Sequence, residues 1–127
     1  MSTYKRWKAL ANETAVNILQ GSSLEIVCKL GDIMAARGIN QTELSTLTGI
    51  RQATINDIIH NKKLTINKEH TKILMLTLKL TDLSQLYEVR FSDLEEKERL
   101  LGESKEVEDR GLTEAQEDIL AEHRKKD

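Results

Sequence analysis

Residues 40–63 read NQTELSTLTGIRQATINDIIHNKK, and this stretch predicts two short helices separated by a glycine turn. Asn40 can cap the first helix by accepting from the amide of Glu43, whose carboxylate can reach back to the Asn40 amide. Gly49 can supply the left-handed backbone that ends this helix, and the second helix then begins at about Arg51. The apolar residues expected to face the core are Leu44, Leu47, Ile55, Ile58 and Ile59.

The residues before this pair predict a longer helix over about 23–37. Ser22 followed by Glu25 is a capping-box pattern, Val27, Leu30 and Met34 recur on one face, and Gly38 can form the C-cap. Further upstream, helical spacing over residues 4–18 predicts an amphipathic helix whose apolar positions are Tyr4, Trp7, Leu10, Ala11, Ala15 and Ile18.

Residues 68–80 fit either a strand or a helix by apolar spacing alone. Helix is favoured by intrinsic propensity, and because no second strand is expected to pair with a first. Asp82 and Gln85 then predict a capped final helix carrying Leu83 and Leu86. The fold class expected is all-α.

The segment from Leu30 to Leu86 resembles the Cro/repressor-type helix-turn-helix proteins, the lambda-repressor-like Xre family. The resemblance rests on residues 39–50, on Arg51–Ile58 and on the basic Asn61-Lys62-Lys63 that follows. It implies a five-helix DNA-binding domain over residues 22–90, with an N-terminal helical extension over 1–21 and an acidic helical tail over 91–127.

The resemblance also implies which residues meet DNA. A short helix held at a fixed angle can enter the major groove, where arginine pairs with guanine, and Gln or Asn pairs with adenine. The residues expected to contact bases are Arg51, Gln52, Ala53 and Asn56. Arg51 departs from the family pattern, which commonly has a capping Ser or Thr there. Ala53 fits partial burial as well as contact with a thymine methyl group.

Contacts to the DNA backbone are expected from the residues around this helix. The family places a phosphate-binding residue that braces the reading helix at the position of Gln41. Asn61 tolerates the left-handed conformation in the following loop, so that the adjacent lysines can lie over the phosphates. The residues expected to contact the DNA backbone are Gln41, Thr54, Lys62 and Lys63.

The net charge of −2 over 127 residues conceals an uneven distribution. Residues 22–90 contain nine basic and seven acidic side chains, whereas residues 91–127 contain seven basic and thirteen acidic ones. Net acidity therefore belongs to the tail and does not argue against DNA binding. The first residues lack a signal-peptide pattern and no apolar run is long enough to cross a bilayer, so we expect a cytoplasmic protein without a membrane partner.

Other site chemistry has little support in the sequence. Cys28 is the single cysteine and is expected to be a core residue. The residues His60, His70 and His123 have no metal-ligand spacing, so no metal and no cofactor are expected. No catalytic pattern predicts an enzyme.

The expected function is a sequence-specific transcription regulator, a repressor that binds a near-palindromic site on double-stranded DNA as a homodimer. The acidic tail is either a solvated helix pair or a docking site for a regulatory protein partner. The alternative is an antitoxin that autoregulates through the same domain and covers a toxin with a flanking segment.

Overall fold

The computed structural model describes residues 12–126, which form two compact units that divide between Arg90 and Phe91. Through the first unit the elements run in the order α1 (Glu13–Gln20), β1 (Leu24–Cys28), α2 (Leu30–Arg37), α3 (Gln41–Thr48), α4 (Gln52–Ile59), α5 (Lys68–Leu78), a short 3-10 helix (Leu83–Gln85) and β2 (Tyr87–Phe91). The second unit contains α6 (Leu94–Arg110) and α7 (Glu114–Lys126).

The two short helices predicted from residues 40–59 are present as α3 and α4. The capping box is confirmed, because Asn40 Oδ1 accepts from the Glu43 amide at 2.8 Å and Glu43 Oε1 accepts from the Asn40 amide at 3.0 Å. Gly49 ends α3 with a φ of 75°, and Gly38 ends α2 with a φ of 68°. Both glycines therefore adopt the left-handed conformation that the sequence predicts.

The core of the first unit lies among α2, α3, α4 and α5. The fully buried large side chains are Leu30, Leu44, Ile55, Leu74 and Leu86. Each stabilises the fold by about 1.5–3 kcal/mol relative to an exposed side chain.

Ile58 and Ile59 pack against this cluster as predicted. The prediction for Leu47 is wrong: its side chain is 61% exposed. Three residues beyond Leu44 turn the helix by about 300°, which takes Leu47 off the narrow buried stripe.

A two-stranded sheet of β1 and β2 corrects the all-α, five-helix expectation, although the described chain is mostly helical. The helix predicted over 23–37 is wrong in its first half, because residues 24–28 form β1 and the helix begins at Leu30. Ser22 Oγ accepts from the Leu24 amide at 3.0 Å in a local turn instead of capping a helix. The β-branched Ile26 and Val27 suit the strand, which pairs with β2.

Residues 68–78 form a helix, so the choice of helix over strand there is confirmed. The expectation that no pair of strands is present is wrong, since β1 and β2 form a two-stranded sheet. Asp82 and Gln85 form the predicted capping box, but the helix that follows is a single 3-10 turn in which Leu83 is 52% exposed. Leu86 lies beyond that turn and is fully buried.

In the second unit α6 and α7 are both helical, and the Thr113–Gln116 capping pair begins α7. Arg110 pairs with Glu106 at 3.1 Å and with Glu117 at 2.8 Å, which links the end of α6 to α7.

Near the chain's beginning, α1 buries Val16 and leaves Ile18 68% exposed, so Ile18 does not lie on a buried face. The part of the predicted first helix before Asn12, with Lys5, Arg6 and Lys8, lies outside the described residues. None of the helices in residues 12–126 is both long and apolar enough to span a membrane.

Candidate nucleic-acid interface

Side-chain hydroxyls fix the turn between α3 and α4. Thr48 Oγ1 donates to the Leu44 carbonyl at 2.7 Å and accepts from the Ile50 amide at 3.1 Å. Ser45 Oγ donates to the Ile50 carbonyl at 2.6 Å, and Ile50 is buried with 4% exposure. Both backbone groups of Ile50 are thus satisfied inside the turn, which holds α4 at a fixed angle to α3.

A further bond joins the first turns of the two helices. Thr42 Oγ1 donates to Gln52 Oε1 at 3.4 Å, a long and therefore weak hydrogen bond. The family resemblance predicts a bracing role for Gln41, and the side chain that makes this bond to α4 is that of Thr42, one position later. Gln41 is half-buried at the first position of α3. The sequence pointed to the Thr42–Gln52 bond only through the position of Thr42, a hydroxyl residue next to Gln41.

The N-terminus of α4 is open to solvent. Arg51 is the N-cap residue, has extended backbone angles of −62° and 142°, and makes no side-chain capping bond. The first turn exposes Arg51, Gln52 and Ala53 together. A guanidinium group, an amide and a methyl group are therefore presented side by side at the end of a short helix, and these groups match guanine, adenine and the thymine methyl respectively.

Asn56 lies one turn later and is only half-exposed. Its Oδ1 is buried and has no hydrogen-bond partner among the described residues. The amide of Asn56 must rotate before it can bond adenine with both its oxygen and its nitrogen, because bidentate pairing uses both atoms. The orphan oxygen also costs stability in the free protein, since a buried polar atom without a partner loses its hydration.

The loop after α4 is anchored to the sheet by Asn61. Asn61 has a φ of 54°, which confirms the left-handed conformation predicted there, and its Oδ1 accepts from the Cys28 amide at 2.8 Å. The neighbouring Lys62 and Lys63 are both exposed. Lys63 Nζ lies 3.7 Å from Asp57 Oδ2, so its charge is partly balanced by a carboxylate on α4. The Asn61–Cys28 hydrogen bond therefore fixes the backbone from which the side chains of Lys62 and Lys63 project.

Two further contacts that the sequence analysis missed support α4 from behind and at its end. His60 donates from Nδ1 to the Asn56 carbonyl at 2.9 Å, and this carbonyl also accepts from the His60 amide at 3.1 Å, so that His60 closes the last turn of α4 twice. Gly31 of α2 lies so close to α4 that an added Cβ would be 3.2 Å from Cγ2 of Ile59. A side chain at this position would therefore fit only if Ile59 moved by a few tenths of an ångström.

Three titratable groups among the described residues of this unit have shifted pKa values, namely Cys28, Tyr87 and Asp82. Burial raises the pKa of the Cys28 thiol, and burial is also the main reason why the pKa of Tyr87 is raised. Cys28 is 9% exposed, as expected for a core residue. The pKa of Asp82 is lowered by hydrogen bonds from Ser84. Within residues 12–126 no cluster of three metal-ligating side chains is found.

Residues 29–96 match the model of the Cro/C1-type HTH DNA-binding domain, and this is just over half of the chain. The match begins directly before α2 and includes the hydroxyl-fixed turn, α4 and β2. No curated protein and no solved structure matches the chain. The geometry of α3 and α4 agrees with the family match: the chain belongs to the Cro/C1-type helix-turn-helix family and is a DNA-binding transcription regulator.

Proposed function

We propose that this protein is a repressor that binds a near-palindromic operator as a homodimer and reads it with the first turn of α4. The observation that carries the proposal is the joint exposure of Arg51, Gln52 and Ala53 on a helix whose angle is fixed by the Ser45 and Thr48 hydroxyls. Direct reading needs such a rigid, outward-facing helix end.

Backbone contacts complete the docking we propose. Gln41, Thr54, Lys62 and Lys63 bind phosphates on either side of the groove and set the register of α4, while Arg51 and its neighbours select the sequence. Asn56 joins the base contacts after its side chain rotates. A second subunit places an equivalent helix about 34 Å away, one turn of DNA along the same face.

Selection from a random pool of DNA duplexes tests this proposal. Wild-type protein should enrich a motif with two related half-sites whose centres are about 10 base pairs apart. Arg51→Ala should relax the preference at one position of each half-site and leave the others unchanged. An enriched motif that is identical for wild type and variant would show that Arg51 reads no base.

Transcription in vitro tests whether the protein represses or activates. A dimer that covers a promoter excludes RNA polymerase, so transcription in vitro from a promoter carrying the selected motif should fall as protein is added. Moving the motif well upstream of the promoter is the matched control, and it should abolish the effect. Increased transcription from the first template would make the protein an activator.

A second candidate, an antitoxin, draws support from the unit formed by α6 and α7. This unit is strongly acidic and leaves several apolar side chains exposed, namely Leu94, Leu100, Leu101 and Ile119. Such side chains on an acidic helix suit a basic protein partner. Co-expression with the product of an adjoining reading frame distinguishes the two candidates, because an antitoxin should co-purify with that product and relieve its toxicity.

A further inference from the structure

The DNA-binding domain contains a cavity of about 420 Å³, and only two of the residues that line it, Thr54 and Lys63, belong to the proposed DNA contacts. Its walls come from four parts of the first unit: α4, the loop over residues 61–67, α5 and the two-stranded sheet. Pockets that hold small organic molecules in proteins commonly measure 300–1,000 Å³, so this cavity has the size of a ligand site.

The surface that lines the cavity is mostly apolar, and the two charged residues in it have opposite charges. Ile58, Leu64 and Leu74 contribute apolar surface from α4, the loop and α5. Asp57 and Lys63 also line the cavity, but they lie 3.7 Å apart and balance one another. The two charges leave no net charge in the lining, and this suits an uncharged ligand.

Polar groups at the wall can orient such a ligand. The half-buried His70 lines the cavity from α5, and its ring nitrogens can donate or accept a hydrogen bond. Tyr87 lines the cavity from β2 and adds a phenolic hydroxyl. A ligand with an apolar body and one hydrogen-bonding group would match this arrangement.

The cavity shares residues with the proposed DNA-backbone contacts. Thr54 and Lys63 belong to both sets, and Lys62 is the neighbour of one of them. A molecule seated against these side chains competes for them with the phosphates. Because coupling between two ligands is reciprocal, DNA must weaken the binding of the small molecule by the same factor.

We propose that this cavity binds an uncharged, largely apolar small molecule with one hydrogen-bonding group, and that its occupancy weakens DNA binding. The second half of the statement rests on the proposed function and on its backbone contacts. The first half depends on the cavity alone.

Binding is tested with N-phenyl-1-naphthylamine, an uncharged apolar probe whose fluorescence rises on transfer out of water. The full-length protein should bind it saturably with one site per chain. Ile66→Trp places a larger side chain at the cavity wall and should weaken the probe's affinity at least tenfold. Leu76→Trp is the matched control, because Leu76 is exposed on α5 and does not line the cavity. Equal affinities for the two variants would overturn the site.

A second measurement locates the probe in the unmodified protein and does not depend on any variant folding. Cys28 is the single cysteine of the chain and lines the cavity. Saturating probe should slow the reaction of its thiol with methyl methanethiosulfonate severalfold. A rate that stays the same while the probe is bound would place the probe elsewhere and refute the proposal.

The DNA part is tested by adding saturating probe to the complex with a selected duplex. The expected result is a several-fold loss of DNA affinity in wild type and a smaller loss in Ile66→Trp. An affinity that is unaffected by bound probe would overturn the coupling but leave the repressor proposal standing. A protein that binds the probe but shows no sequence preference without it would instead contradict the proposed function.

Discussion

Arg51 stands at the start of α4, where a capping side chain would normally be found, and its charge lies at the positive end of the helix dipole. Serine at this position would accept from the free amides of the first turn, whereas arginine cannot. The mismatch costs about 0.5–1 kcal/mol of stability. A residue that weakens the fold but faces outward from the reading helix is a strong candidate for base recognition.

Arg51→Ser should therefore change stability and recognition in opposite directions. The free energy of unfolding in urea should rise by about 0.5–1 kcal/mol because a cap is restored. Discrimination at one base pair should fall by about 1–3 kcal/mol because the proposed contact of Arg51 with guanine is lost. Arg99→Ala removes the same charge from an exposed position of α6 and is the control. Unaltered discrimination in Arg51→Ser would contradict the assignment.

Asn61 combines two local requirements that one substitution can separate. Its φ is positive, and its side chain holds the Cys28 amide of β1. Asn61→Gly keeps the backbone conformation and should lose about 1 kcal/mol with the hydrogen bond. Asn61→Ala also strains the backbone and should lose about 2 kcal/mol or more. Urea unfolding measures both, and equal losses would mean that the left-handed conformation is not maintained in solution.

The Cys28 thiol gives the protein a pH-dependent stability term. Its pKa is raised above the ordinary value of 9.0 by burial, so the folded protein retains the proton at a pH where the unfolded chain has lost it. Stability from this group is complete below the ordinary thiol pKa and is lost as the pH rises through the raised one. The free energy of unfolding should fall as the pH rises above about 9, the ordinary thiol pKa, and Cys28→Ala should show a smaller fall. Parallel pH curves for the two proteins would contradict the burial argument.

At the scale of single elements, α3 is stabilised by its capping box as well as by the burial of Leu44, its one buried residue. Asn40→Ala removes the side-chain oxygen that holds the Glu43 amide and should lower the free energy of unfolding by about 1 kcal/mol. Asn17→Ala, at an exposed interior position of α1, is the matched control and should cost nothing. Equal effects would show that the cap contributes no stability.

Elements determined by neighbouring residues could be predicted from the sequence. The Asn40–Glu43 box, the left-handed Gly38 and Gly49, and the inward isoleucines of α4 all follow from contacts within a few positions. β1 could not be found this way. Its partner β2 lies some sixty residues later, and the spacing from Ser22 to Glu25 imitates a helix start. Non-local pairing overrode a local pattern there.

The candidate site shows the same division. The exposure of Arg51 and Gln52 could be predicted, because it follows from which face of α4 is apolar. For Ala53 the sequence left partial burial open, and the structure has it exposed. The Thr42–Gln52 bond and the inward-turned oxygen of Asn56 depend on the packing of one helix against another. No periodicity in the sequence reports such side-chain rotations, and so the structure was needed to find them.

On the scale of the whole molecule, charge is divided along the chain, with net acidity after Phe91 and a mildly basic segment before it. If four to six phosphates are neutralised per subunit, the affinity of a dimer should fall with salt on a log–log slope of about −7 to −11. Fluorescence anisotropy with a labelled operator over a series of salt concentrations measures this slope. Lys62→Ala should reduce its magnitude by about 2 for the dimer, one phosphate per subunit. A flat salt response would rule out the docking.

The pairing of β1 with β2 also determines how this domain could be used outside its own chain. The sheet brings residues 24–28 and 87–91 side by side, and Lys29 donates to the Leu86 carbonyl at 2.7 Å. The segment that contains the helix-turn-helix therefore begins and ends in neighbouring strands, so its two ends are adjacent. Domains with adjacent termini tolerate insertion into other proteins. This one is accordingly suited to being grafted, with short linkers, into a surface loop of an unrelated host protein.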